Sequence, residues 1–237
     1  LLVHKIAYGT DNIARGPAMT RAQALDALLF GASLAEKLKR DGYDILATGE
    51  MGIGNTTTSS AVASVLMGRS SAEVTGRGAG LSAEGLMRKI DAIKRAISVN
   101  RPDVNDPVDV IAKVGGFDLA GMTGLFLGAA ACKIPVLIDG FISAVAALAA
   151  ARLCPDAAGY ALATHLSDEP AARMVLETLG KRPMITAGMR LGEGTGAVAA
   201  LGLLDAAVAV YTDMSTFDDI AIDAYQPFDE TAGTLPC

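Results

Sequence analysis

Short apolar runs, each leading into a Gly-rich loop and then an alanine-rich stretch of helical period, recur along most of the chain. Residues 45–48, 135–138, 160–164 and 184–187 have the length and apolar character of buried strands. Between them lie helical patterns with recognisable ends. Thr20 with Gln23 three positions on forms a capping box, and Gly42 is placed to stop the helix it starts. A loop at 49–55 precedes a helix to about Met67. Ser82 caps a helix to about Asn100, and Asp106-Pro107 begins another. Helices are expected over 140–152, from Asp168-Glu169-Pro170 to a stop at Gly180, and over 195–211. The pattern past Asp213 has no clear period.

Strands alternating with helices imply right-handed crossovers and a three-layer α/β domain, a mostly parallel sheet with helices on both faces, Rossmann-like in layout. The 237 residues, without an internal repeat or low-complexity linker, fit one such domain over 1–237. In sheets of this kind ligands bind at the carboxyl ends of the strands. Each Gly-rich loop is expected to follow a strand, which would gather 49–55, 75–81 and 191–196 on one sheet edge.

Composition narrows the function classes. A net charge of −6, with no Lys/Arg block, argues against a nucleic-acid surface. Hydrophobic residues make up 51% of the chain, which raises the question of a membrane span. The longest apolar stretch, 119–153, is broken by Lys133, Pro135 and Asp139, short of the roughly 20 residues a bilayer needs. Cys132, Cys154 and Cys237 are odd in number and far apart, the pattern of free thiols in a reducing compartment, and the cytoplasm is the expected location. His4 and His165 have no clustered Cys or carboxylate, so neither a metal site nor a cofactor is expected.

Three loops carry candidate chemistry. In 49–58, Gly49, Gly54 and Thr56 fit a P-loop, but Asn55 stands where its lysine belongs and Glu50 lies inside. That composition disfavours a triphosphate with magnesium and suits a monophosphate held by loop amides, or a plain tight turn. In 75–81, glycines allow close backbone approach. Lys89, two turns into the next helix, would reach a phosphate there, although taken alone it reads as a solvated surface lysine. The third, 192–196, has GxGxG spacing rather than the dinucleotide GxGxxG. Its Glu193 suits a positioned base, or equally a carboxylate on a helix dipole. Asp139 either faces the ligand edge or caps a helix, and Ser167 either binds phosphate or caps.

Taken together the segments GEMGIGNTT (49–57), TGRGAGL (75–81), VGGFDLAGMTG (114–124), IDGFISAVAALAA (138–150) and LGEGTGA (191–197) closely resemble the nicotinate-nucleotide–dimethylbenzimidazole phosphoribosyltransferase family. YGTDN (8–12) and GPAMT (16–20) are similar to two further segments of that family, and the likeness runs in order from about Lys5 to Ile220. The resemblance implies transfer of phosphoribosyl from nicotinate mononucleotide to 5,6-dimethylbenzimidazole, giving α-ribazole 5′-phosphate and nicotinate. It implies Glu193 as general base and Glu50 as a second active-site carboxylate. Gly52, Gly78, Lys89 and Ser167 fall on phosphate positions, and Met51, Leu191 and Gly192 on positions near the bases, where the apolar side chains would shield the carboxylate. It further implies small-molecule substrates, a homodimer, no membrane partner, and a remnant of a small helical domain at the termini. Family members carry a further N-terminal segment that completes the acceptor pocket, and a chain starting at Leu1 is expected to lack it. Two other readings are an inactive structural or dimerising piece of that enzyme and a dinucleotide-dependent oxidoreductase, against which the GxGxG spacing speaks.

Overall fold

The structure, a computed structural model, describes residues 1–223. The chain divides by its contacts into two compact units, Leu1–Ala200 and Leu201–Cys237. The strands, the core and the cleft described below belong to the first.

Helix α1 (Arg21–Arg40) starts at the expected capping box, with Thr20 and Gln23 exchanging backbone and side-chain bonds. Strand β1 (Leu46–Ala47) leads through a Gly-rich loop into α2 (Asn55–Met67), which ends at the left-handed Gly68. A four-residue helix, α3 (Ser71–Val74), was not expected from the sequence; it follows a Ser70/Glu73 capping box. Then come α4 (Ala83–Asn100, capped by Ser82), α5 (Pro107–Val114, capped by Asp106) and α6 (Phe117–Ala131). After β2 (Val136–Ile138) and α7 (Phe141–Leu153), a 3₁₀ turn leads to β3 (Ala161–Ala163) and β4 (His165–Ser167). The last elements are α8 (Ala172–Thr178), β5 (Ile185–Met189) and α9 (Thr195–Asp213).

The strands are parallel, in the order β1-β2-β3 and β4-β5. The sequence suggested one strand over 160–164, but this stretch of chain changes partner at Thr164. Its N–H and hydroxyl both donate to Ile138 C=O (3.3 and 2.7 Å), while its own C=O accepts from Ile185 N–H at 2.9 Å. Beyond that point the chain pairs with β5 instead of β2. The class is therefore the expected three-layer α/β fold, with one strand broken across two neighbours. Strand β2 is buried along its whole length, and ten consecutive residues of α7 are buried. The α7 sequence has no polar stripe, and burial on every side suits it.

Helices α1 and α6 meet backbone to backbone. A Cβ at Gly124 would overlap the Leu28 carbonyl, one at Gly128 would press on Ala32, and one at Gly31 on the Gly121 carbonyl. On α6 these glycines recur at 121, 124 and 128, along one face.

Among the described residues the long apolar helix is α9 rather than the 119–153 stretch. Its 19 residues are long and apolar enough to cross a membrane by length and composition, and only 17% of that span is buried. The 119–153 stretch is two helices and a strand, each shorter than a bilayer span.

The α1–α6 contact separates two glycine substitutions. Gly124→Val should destabilise the protein by about 3 kcal/mol, since backbone cannot move aside for a side chain. Gly121→Ala, whose Cβ would find only the Ala27 carbonyl at 3.9 Å, should be neutral or slightly stabilising. Thermal melts of the two variants check the contrast.

Candidate active site

Four strand ends feed one cleft of about 570 Å³, within the size range of small-molecule sites. The loop after β1 supplies Glu50, Met51 and Gly52; the turn after β2 brings Gly140 and Phe141. Ser167 arrives from the end of β4, and Leu191, Gly192 and Glu193 from the loop after β5. The stretch 75–79 lines the same cleft but follows α3, not a strand, contrary to the expectation for every Gly-rich loop. Convergence of the three loops is as expected; the entry route of the second differs.

The loops after β1 and β5 touch through their backbones. Glu193 N–H donates to the Glu50 carbonyl at 2.8 Å. A Cβ on Gly49 would stand 2.7 Å from the Gly194 nitrogen, and one on Gly192 would stand 2.8 Å from Glu50 Oε1. Gly192, Glu193 and Gly194 all have positive φ, at +78°, +59° and +78°. Two flanking glycines make that path accessible, and Glu193 is the residue strained by it.

The sequence leaves Asp139 between the ligand edge and a helix cap. It is a cap, though not of the helix that follows it. The side chain is fully buried, and its carboxylate accepts from Gly194 N–H (2.9 Å), Gly196 N–H (2.8 Å) and Ala197 N–H (3.2 Å), at the start of α9. Helix α7 has Gly140 at its N-cap and no side-chain cap. His165 packs beside this junction: a Cβ at Gly196 would overlap its ring. Burial holds the His165 imidazole below its ordinary value, against the opposing pull of Asp139.

Glu50 is half-buried. Its Oε2 accepts from Asn55 Nδ2 at 3.0 Å, and the same amide group donates to Asp118 Oδ2 at 2.9 Å. Burial pushes the Glu50 carboxyl up, the bonds from Asn55 and Gly52 pull it down, and Asp139 and Asp118 add to the rise. Asn55 stood out in the sequence only as a missing P-loop lysine. Its amide bridges two carboxylates, the second of them 63 positions along the chain, a tertiary fact with no local signature.

Lys89 is not the solvated lysine its isolated position suggests. It is 8% exposed, and its ammonium donates to Thr56 Oγ1 (2.9 Å) and to the Gly76 carbonyl (3.0 Å). Burial lowers its pKa, with Glu169 opposing. It borders a second recess of about 330 Å³ that shares Gly52 and Thr56 with the larger cleft. Of the four expected phosphate residues, Gly52, Gly78 and Ser167 line the large cleft and Lys89 the recess beside it. Ser167 Oγ makes only a long bond, 3.5 Å from Glu169 N–H, and helix α8 begins past it at Ala172. Met51 and Leu191 also line the cleft, but they are 69% and 64% exposed and Glu193 is itself exposed, so they do not enclose it. No group of three metal-binding side chains occurs among the described residues.

The raised Glu50 carboxyl makes stability depend on pH. It titrates higher in the folded chain than in the unfolded one, so its contribution to stability is complete below the unfolded value and is lost as pH rises through the folded value. Glu50→Gln should remove that loss. The melting temperature of the variant relative to the unaltered protein should rise as pH goes from about 4 to 7, which calorimetry across that range would read.

A family model described as phosphoribosyltransferase matches residues 2–222. The chain is 55% identical over 227 residues to the nicotinate-nucleotide–dimethylbenzimidazole phosphoribosyltransferase of Acetivibrio thermocellus, covering 96% of this chain and 65% of that protein. It is 54% identical over 225 residues to the enzyme of the same name from Ruminiclostridium cellulolyticum, covering 95% of this chain and 64% of that protein. The crystal structure of CobT from Thermus thermophilus matches with a TM-score of 0.88 at 41% identity, over 94% of this chain and 66% of that one. The chain thus spans a little under two thirds of the length of these relatives.

Proposed function

Because the chain belongs to the nicotinate-nucleotide–dimethylbenzimidazole phosphoribosyltransferase family, we propose that it transfers phosphoribosyl from nicotinate mononucleotide to 5,6-dimethylbenzimidazole, releasing nicotinate and α-ribazole 5′-phosphate. The observation that carries this reading is the meeting of Glu50 and Glu193 at one cleft wall, with glycine loops on either side.

The chemistry asks little beyond positioning and one base. The departing pyridine is already cationic on its ring nitrogen, so it leaves as a neutral nicotinate ring without an acid. The incoming benzimidazole attacks the anomeric carbon through one nitrogen and must lose the proton on the other. Glu193 takes that proton, an effect typically worth about 10²–10⁴-fold. Attack opposite the leaving group turns a β-nucleotide into an α-product, and holding both rings in line supplies much of the remaining acceleration. Glu50, half-buried and held by Asn55, is the second carboxylate beside the reacting centre. Exposed Met51 and Leu191 on the cleft are apolar surfaces of the kind a flat aromatic ring covers. Gly52, Gly78, Lys89 and Ser167 hold the phosphate; a buried ammonium beside glycine amides supports that role. Gly192 lets the acceptor ring approach the backbone.

The protein works as a homodimer in the cytoplasm, without a membrane partner. Exposed Leu203, Val208, Val210 and Tyr211 give α9 an apolar surface suited to protein contact. Asp205 lies midway along that helix, where bilayer hydrocarbon would penalise a charge. The free thiols Cys132 and Cys154 fit a reducing compartment.

Nicotinate release, followed by chromatography with and without dimethylbenzimidazole, tests the reading; release that ignores the acceptor base would sink it. Two variants divide the roles. Glu193→Gln should lower turnover by about 10²-fold or more with nucleotide affinity nearly unchanged, since the lost interaction exists only in the transition state. Lys89→Ala should raise the Michaelis constant for the nucleotide more than it lowers turnover, because a phosphate remote from the reacting bond supplies mostly uniform binding.

A further inference from the structure

We propose that Asp139 is a positioning residue for the reaction, a buried carboxylate that fixes the Glu193 segment by holding the first turn of α9. The inference rests on the functional reading above and adds to it the group through which the sheet sets the place of the base.

Asp139 sits directly after β2, and its own backbone is anchored on both sides. Its N–H donates to Thr48 Oγ1 at 3.4 Å, and its carbonyl accepts from Thr164 Oγ1 at 3.2 Å. Thr48 and Thr164 belong to the chain segments flanking β2 in the sheet. The carboxylate is thereby held by the most buried part of the sheet. Each of its oxygens is used: Oδ2 takes Gly194 N–H, and Oδ1 takes Gly196 and Ala197 N–H. Those donors are otherwise unpaired at a helix start, and the helix dipole there favours the negative charge.

Glu193 lies immediately before this grip. Two bonds tie its left-handed backbone to the rest of the fold: its own N–H to the Glu50 carbonyl, and the next N–H, that of Gly194, to Asp139. Locally the turn is closed by Thr195, whose N–H (3.1 Å) and hydroxyl (2.7 Å) both donate to the Gly192 carbonyl, but that closure does not fix the turn against the sheet. Without the Asp139 carboxylate the turn keeps its local closure and the bond to Glu50 but loses its tie to the end of β2, and can shift as a unit. A base displaced by about 1 Å can cost about 10²-fold in rate even with binding intact.

Asp139→Asn keeps the shape but offers one acceptor oxygen and turns an NH₂ toward an N–H donor. Amide exchange of segment 192–197, measured by mass spectrometry on the full chain, should quicken at least about tenfold while α2 and α7 stay unchanged. Turnover for nicotinate release should fall by about 10²-fold with little change in the Michaelis constant for the nucleotide. In a Glu193→Gln background the same substitution should cost almost nothing further, since a residue acting only through Glu193 has nothing left to position. Unchanged exchange at 192–197 would overturn the proposal, and so would an equal fall in turnover in both backgrounds. If the Asn variant does not fold, Asp139→Ser, which retains one hydroxyl acceptor for a helix start, is held to the same results. An unaltered protein that releases no nicotinate would overturn the functional reading alone, and the exchange arm would still decide whether Asp139 holds the segment.

Discussion

The Asp139 carboxylate lies in the interior without a salt bridge among the described residues, and backbone N–H groups from the first turn of α9 stand where a cation would otherwise be needed. An uncompensated charge in that position would cost several kcal/mol. The helix start would equally be left with orphan donors. Each deficiency is the remedy for the other, so the end of β2 and the beginning of α9 are obliged to stay together. The cleft is the space left around that obligation. Glu193, Gly192 and Leu191 lie on the loop that leads into the gripped turn, and the backbone of Glu50 is bonded to it in turn.

Close approach of backbone to backbone is the second recurring device. It joins α1 to α6 through Gly31, Gly124 and Gly128, and it joins the loop after β1 to that after β5 through Gly49 and Gly194. In the first case it tightens the scaffold, bringing two helices nearer than any pair of side chains would permit. In the second it brings two carboxylates, Glu50 and Glu193, onto adjoining backbone segments. Asn55 steadies the first of these while Asp118 shares its amide, so that burial and hydrogen bonding act on Glu50 in opposite senses.

Features with a local physical cause could be read from the sequence. Capping residues Thr20, Ser82 and Asp106 mark helix starts within a residue of where they occur, because a cap is an interaction across two or three positions. The Gly-rich loops at 49–55 and 191–196 follow strands as expected, whereas that at 75–81 follows the short helix α3. What could not be read depends on partners far along the chain. The change of pairing at Thr164 depends on β2 and β5, and the burial of Lys89 depends on Thr56 and Gly76. The capping role of Asp139 falls on a helix more than fifty residues away, which no spacing rule reports. Ser70 and Glu73 are an instructive exception: their capping box was legible, but four residues of α3 are too few to show a period.

The left-handed backbone of Glu193 carries a consequence for how this protein can change. A non-glycine residue at φ +59° is held there at a cost of about 1 kcal/mol or more. Glycine would relieve that cost, and asparagine would relieve part of it. Selection or engineering for thermal endurance alone would therefore favour loss of the very carboxylate to which the chemistry is assigned. Heat-stable variants drawn from an unscreened library should be enriched in inactive replacements at this position, and persistence of glutamate among them would measure how strongly activity was being selected.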